Sequence, residues 1–482
     1  MSATTLQSKA PGGACEAPEI SGCCGAGVPV LALFAGAACW LVVAAVLALI
    51  ASLKFHLPSF LASCPAMTYG RVHAAHFSVL AYGFAAPAAI GVTLWLLAKT
   101  GQTRLALPGG AFIATLLWNL GVLVGVGSIL AGGATGFELF DFSQAGSTML
   151  LLAYLVLALA GGLTFANRTE RGNDAVQWFL LAALLWFPWI YTTAAGLLGC
   201  APVRGVAQAA IAWWFANNFT FVWMGLIGIG TLFYFAAQFA GRPLHSRQLA
   251  LFAFWVLVLF GSWAGIPDSA PLPAWLPALS AMGAFLSLVV MLAVAINLKK
   301  TVGQCLTRRP EPAAKFLGVG ALALNFFILV RAVTSFTCIS QITDLTWVGP
   351  ALTQLWLYGF MMMVLSGAIY YIVPQLAGKE FCSPRAIKFQ FWTMLAGIVL
   401  LVLPLLIGGV VQGEQWQNPN VATMDAVQAT LPFLRVSTMG DLFILLGSVT
   451  LLLNLGGFFW KCCRACCAGS CAASSRTAGV RA

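Results

Sequence analysis

The stretch Gly70-Arg71-Val72-His73-Ala74-Ala75-His76-Phe77-Ser78-Val79-Leu80-Ala81-Tyr82-Gly83-Phe84 runs on without a charge to Leu97, and its reading decides the fold. Its apolar part, Val72–Leu97, exceeds the about 20 residues that an α-helix needs to cross a hydrocarbon layer of about 30 Å. It does not alternate apolar and polar residues as the strands of a membrane barrel do. Backbone polar groups in lipid must bond within their own segment, so the stretch is predicted as a transmembrane helix. It also carries two of the chain's four histidines, His73 and His76, one turn apart on one face. The others are His56 and His245.

Outward from it lie eleven more such stretches: Val28–Leu53, Ala111–Leu130, Thr148–Ala166, Val176–Leu198, Ile211–Phe239, Leu249–Ile266, Leu276–Leu298, Phe316–Phe336, Leu352–Leu376, Phe389–Val411 and Leu442–Trp460. The 482 residues are 61% hydrophobic and 8% charged, against about 25% charged in a soluble domain. No soluble domain fits between the stretches. The chain is therefore expected to be an all-α membrane protein, a twelve-helix bundle over residues 28–460. A cysteine-containing leader (1–27) and a cysteine-rich tail (461–482) flank it, the leader and the end of the tail read as disordered.

Charge sets the expected orientation. Lys99 and Arg104, Arg168 and Arg171, Arg242 and Arg247, Lys299 to Lys315, and Lys379 to Lys388 follow alternate stretches, and Lys461 and Arg464 follow the last. The opposite loops hold Glu138, Asp141, Asp268, Asp344, Glu414 and Asp425. Basic loops stay cytoplasmic, which predicts an inner-membrane protein with both termini inside. The net charge of +11 then reflects topology. No basic run is dense enough for nucleic acid, and lipid is the expected surround.

From the second stretch onward the chain resembles subunit I of heme–copper oxidases, most of all the cbb-type cytochrome c oxidases. Gly70-Arg71 with His76 and Ala81-Tyr82-Gly83-Phe84 is similar to the family's second helix. Ala240-Gly241-Arg242-Pro243 and Trp263-Ala264-Gly265 are similar to the entry and end of its seventh. Arg331-Ala332-Val333 lies where the ninth belongs, Gly359, Gly367-Ala368 and Pro374 where the tenth does, and Gly397-Ile398-Val399-Leu400 with Gln412-Gly413 where the eleventh does. These pieces occur in order.

The resemblance implies about six histidines, holding two haems and a copper ion, and four in total do not suffice. The copper-ligand place after Trp213-Trp214-Phe215-Ala216 carries Asn217, and the adjacent pair after Trp263-Ala264-Gly265 falls on Pro267 and Asp268. The tyrosine coupled to that centre is replaced by Gly261, and the two haem-ligand places of the tenth helix fall on Leu352 and Gln354. Asparagine is a poor copper ligand, proline has no donor atom, and haem iron takes His, Met, Cys or Tyr. A binuclear haem–copper centre is therefore not expected, and neither is the oxygen-reducing activity the family would imply. Met361, Met362 and Met363 lie too deep to substitute.

His76 keeps the family's low-spin haem place. The alternatives are a single haem on His76, with His73 nearby and Arg331 neutralising a propionate, or an inherited histidine with a hydrogen-bonding role and an Arg331 that snorkels to the interface. His56 and His245 read as surface residues. Glu138 and Asp141 read as a solvated loop, or as a docking site for a partner protein. Among the fourteen cysteines, Cys462, Cys463, Cys466, Cys467 and Cys471 have spacings seen in thiolate metal sites, or are filler or lipidation sites in a tail. The leader adds Cys15, Cys23 and Cys24, and two of Cys64, Cys200 and Cys338 are candidates for a bridge.

The expected function is that of a catalytically degenerate relative: a scaffold subunit of a respiratory or electron-transfer complex, beside other subunits and a c-type cytochrome. The alternatives are an electron-transfer subunit with one haem on His76, and a transporter of a small solute or ion.

Overall fold

The computed structural model describes residues 27–170, 174–303, 312–381 and 383–478, with side chains as far as Arg464 apart from Cys463. The leader and Cys15, Cys23 and Cys24 lie outside the described residues, as do the side chains of Cys463, Cys466, Cys467 and Cys471.

Among the described residues twelve long helices form one all-helical bundle: α1 (Val28–Leu53), α2 (Tyr69–Thr100), α3 (Pro108–Ala131), α4 (Gln144–Ala166), α5 (Ala175–Cys200), α6 (Val206–Ala240), α7 (Arg247–Leu259), α8 (Trp275–Val302), α9 (Pro312–Thr334), α10 (Val348–Ala377), α11 (Pro384–Gln417) and α12, which starts at Thr423 and continues to Ala478; a short helix, Thr337–Thr343, joins α9 to α10. Eleven are long and apolar enough to cross a membrane. Side chains cap the starts at the basic-loop end: Asp174 accepts from Val176 N, Ser246 from Leu249 N and Ser383 from Ala386 N.

Burial divides the bundle into two shells. The apolar windows of α2, α6 and α10 are 100%, 89% and 94% buried, while those of the other eight long helices are 39–50% buried. An inner trio is thus ringed by helices whose outer faces are free to meet lipid. Close approach depends on missing side chains. A Cβ on Gly83 of α2 would lie 2.7 Å from Trp40 of α1, and one on Gly228 of α6 would lie 2.4 Å from Phe360 of α10. Each inner helix also contains a π-helical stretch: Val79–Ala85, Asn218–Met224 and Leu355–Met362. Such turns cluster at functional sites because they re-aim the side chains around them.

Three sequence expectations need correction. The seventh span ends at Leu259 as an α-helix. One 3-10 turn, Gly261–Trp263, follows, and Ala264 is extended, because two glycines and Pro267 interrupt the helical ladder. The last helix begins at Thr423 instead of Leu442. Pro432, Arg435 and Asp441 give residues 423–441 the composition of a loop, but packing on α11 and α1 keeps them helical. The loop after α3 is not simply solvated either. Leu139, Phe140 and Phe142 are buried, Tyr82 OH donates to Leu139 O at 2.7 Å, and Asp141 is carried in with them to 7% exposure.

Cys64, Cys200 and Cys338, the candidates for a bridge, are exposed and unbridged. Cys462 is buried near the end of the described side chains.

Candidate functional site

The inner helices bring together two sets of residues at the level just before their π-helical turns. The first is His76 on α2 and Gln354 on α10, 2% and 7% exposed. His76 Nδ1 lies 3.0 Å from Ala44 O, and His76 Nε2 lies 3.3 Å from Gln354 Nε2. One neutral tautomer satisfies both contacts: Nδ1–H donates to the carbonyl, and the Nε2 lone pair accepts from the amide NH2. Tyr358 stacks on His76 at 6.1 Å. The Tyr358 hydroxyl, Ser78 Oγ and Gln354 Oε1 are buried without a partner among the described residues. His73 does not join this pair. Its ring packs between Tyr69 and Phe77, at 5.2 and 5.1 Å.

Asp441 was missed by sequence reasoning. It is 4% exposed and lies inside α12, one residue before the stretch read as the last span. The available signal was an acid abutting the last apolar stretch.

The second set centres on Asn217. Its Nδ2 donates to Gly261 O at 2.9 Å, and its Oδ1 accepts from Arg331 Nη2 at 2.5 Å. Arg331 therefore turns inward and does not snorkel, and it lies 4.5 Å over the ring of Phe221. Gly265 has φ +104°, and a Cβ there would fall 2.5 Å from Asn217 Cβ, so only glycine lets this corner press on the asparagine. A cavity of about 220 Å3 opens beside them, walled by Leu352, Thr353, Trp356 and Glu138 among others. Thr353 Oγ1 donates to Glu138 Oε1 at 3.4 Å.

Pro267 and Asp268 do not line this cavity. The chain has left the helix by then, and Asp268 accepts from Ser340 Oγ at 3.1 Å. Asp141 sits in the loop above, and burial raises its carboxyl to about 6, with the Glu138 charge adding and the Gly136 amide opposing. His56 meets Thr438 Oγ1 at 3.1 Å, and His245 is exposed.

Residues 28–443 match the family model described as cytochrome c and quinol oxidase polypeptide I. The chain belongs to the cytochrome c and quinol oxidase polypeptide I family. Among its relatives is cytochrome c oxidase subunit 1 of Rhodobacter capsulatus, 23% identical over 419 residues, covering 81% of this chain and 77% of the relative. Another is the Cbb3-type cytochrome c oxidase subunit CcoN1 of Stutzerimonas stutzeri, 24% identical over 414 residues, covering 81% and 86%. A solved heme–copper terminal oxidase dimer shares the fold, with a TM-score of 0.69 at 14% identity over 89% of this chain and 83% of that one.

The family resemblance implies two haems and a copper ion, and the residues present do not fit them. Metal–imidazole bonds are about 2.0–2.1 Å long, and a haem between two axial donors also needs room for its ring. His76 and Gln354 touch directly at 3.3 Å, and an amide nitrogen has no lone pair for iron. At the other centre both polar atoms of Asn217 are engaged by protein, and Leu352 has no donor atom. Among the described residues no three His, Cys, Asp or Glu side chains gather as a metal site requires.

Proposed function

We propose that this chain is a catalytically degenerate member of the polypeptide I family, without a haem–copper binuclear centre, that serves as a scaffold subunit in a respiratory membrane complex. The observation that carries this reading is the direct hydrogen bond between Gln354 and His76. A glutamine in the place of a haem ligand has turned the remaining imidazole into one partner of a structural polar pair. Asn217, locked to Arg331 and Gly261, supports the same reading at the copper place, where the resemblance calls for an imidazole.

The scaffold part of the proposal rests on what the bundle retains. The inner trio and outer shell form the family's helical fold, and the end opposite the basic loops carries Glu138, Asp268, Asp344 and Asp425 beside Lys54, Arg71, Arg204 and Arg435. With basic loops inside, this mixed-charge face looks outward from the inner membrane, where a c-type cytochrome would dock.

The test is to solubilise native membranes gently, isolate the chain through a tag, and separately purify it alone. The proposal expects co-purifying oxidase or cytochrome subunits, and no oxygen uptake by the isolated chain with reduced cytochrome c. Turnover by the isolated chain, or a chain that recovers no respiratory subunit, would reject it.

A further inference from the structure

The cavity beside Asn217 contains a cation, Arg331, that forms no ion pair among the described residues, and one carboxylate, Glu138, that is bonded to Thr353 instead. Arg331 is near the end of α9 that meets the acidic loops. Its guanidinium is held by Asn217 Oδ1 and lies over the rings of Phe221 and Phe327. Among the described residues no carboxylate pairs with it. Arg331 is half-buried at a cavity whose rim residues Glu138 and Gly349 are exposed, and a guanidinium at the edge of a membrane bundle with no ion pair favours a counter-ion.

Arg331 is the strongest donor in the walls. The guanidinium has five N–H groups and no acceptor, and Asn217 engages one of its nitrogens. Trp356, 1% exposed, lines the same cavity, and its indole N–H, itself covered by protein, has no partner among the described residues. Trp213 adds an indole to the wall, while the Thr220 hydroxyl already donates to Ala216 O at 2.7 Å. Leu352 and Gly265 contribute only apolar surface and backbone. Asn217 Oδ1 is already occupied. Glu138 is the one carboxylate lining the cavity, held by Thr353 Oγ1. The volume of about 220 Å3 admits a small ion with some of its water, at about 30 Å3 per water. It falls below the roughly 300 Å3 at which sites for larger organic ligands begin.

We propose that Arg331, with Trp356 beside it, binds one small monovalent anion, a halide or a simple carboxylate, and that Glu138 competes with it as a tethered carboxylate. One guanidinium balances one charge, which sets the valence. This inference rests on the reading above that no haem propionate occupies Arg331.

The probe is chloride, followed by the broadening of its NMR line over full-length protein in detergent micelles, in a gluconate background. Wild-type protein should broaden the line saturably, and formate should reverse the effect. Arg331→Gln should weaken chloride binding at least tenfold. Glu138→Gln should tighten it by roughly threefold or more, because it removes a nearby like charge. Glu138→Gln keeps the test open if Arg331→Gln does not fold. Formate that stabilises the protein against heat without displacing chloride would overturn the single site. So would no broadening by wild type, equal broadening by a folded Arg331→Gln, or weaker binding by Glu138→Gln.

Absorbance of the same samples separates the two readings. Haem-free protein that does not broaden the chloride line overturns the anion site alone. Stoichiometric haem with chloride broadening overturns the scaffold reading alone, and stoichiometric haem without broadening overturns both.

Discussion

If His76 and Gln354 form a structural pair, their removal must be non-additive. His76→Leu conserves much of the volume but deletes two hydrogen bonds, to Ala44 O and from Gln354 Nε2. It leaves a buried amide donor and carbonyl unmatched. A buried group left unsatisfied costs about 1–3 kcal/mol, so a loss of about 2–3 kcal/mol is expected. Gln354→Leu orphans only the imidazole lone pair, and it also removes Gln354 Oε1, which has no partner to lose. Its loss should be smaller, about 1 kcal/mol. The double substitution removes donor and acceptor together, so it should be less destabilised than the sum by a coupling of about 0.5–1.5 kcal/mol. Reversible unfolding in mixed micelles, followed by circular dichroism, measures each term. Additivity within about 0.3–0.5 kcal/mol would refute the reasoning. A Gln354→Leu variant more stable than wild type would refute it as well.

Three further outcomes follow from the same geometry. Asn217→Ala should cost about 1–3 kcal/mol in the same unfolding assay, because it strips Gly261 O and the Arg331 guanidinium of partners. Gly265→Ala should cost more than about 1 kcal/mol, since φ +104° and a 2.5 Å approach to Asn217 both oppose a Cβ. Asp141 is held at about 6 by burial, above its unfolded value of about 3.9. The native state therefore binds more protons than the unfolded state between those values, so stability should fall as pH rises from about 4 to about 6 and stay lower above. Asp141→Asn should flatten that slope in thermal melts across this pH range; an unchanged slope would count against the assignment.

Much of the fold is legible in apolar run length, because lipid permits little besides helices. Which helices lie inside is only partly so. α2, α6 and α10 have mean hydropathies of 1.7, 1.7 and 1.6, below the 2.0–2.8 of seven outer helices, but α5 at 1.5 is lower still and lies outside, so hydropathy alone does not pick out the inner three. Boundaries failed where tertiary packing overrode composition. Residues 423–441 look like a loop because of Pro432, Arg435 and Asp441, and the loop at 132–143 looks solvated until Leu139, Phe140 and Phe142 are seen anchoring it.

In the site, counting along α10 placed Gln354 at the level where it meets His76, and Leu352 at the cavity. Counting past Trp263 worked less well. The helix had already ended, so Pro267 and Asp268 lie away from Asn217. The inward turn of Arg331 depends on an amide acceptor from another helix, which one sequence does not reveal. The cysteine tail beyond Cys462 lies outside the described side chains.

The central claim is that the imidazole surviving from the family's haem sites binds an amide instead of iron. Its most direct test is a reduced-minus-oxidised absorbance spectrum, with iron and copper analysis, of the chain purified from its native membrane. The account predicts no haem band and far less than one iron or copper per chain. A stoichiometric haem band that disappears in His76→Ala would contradict it.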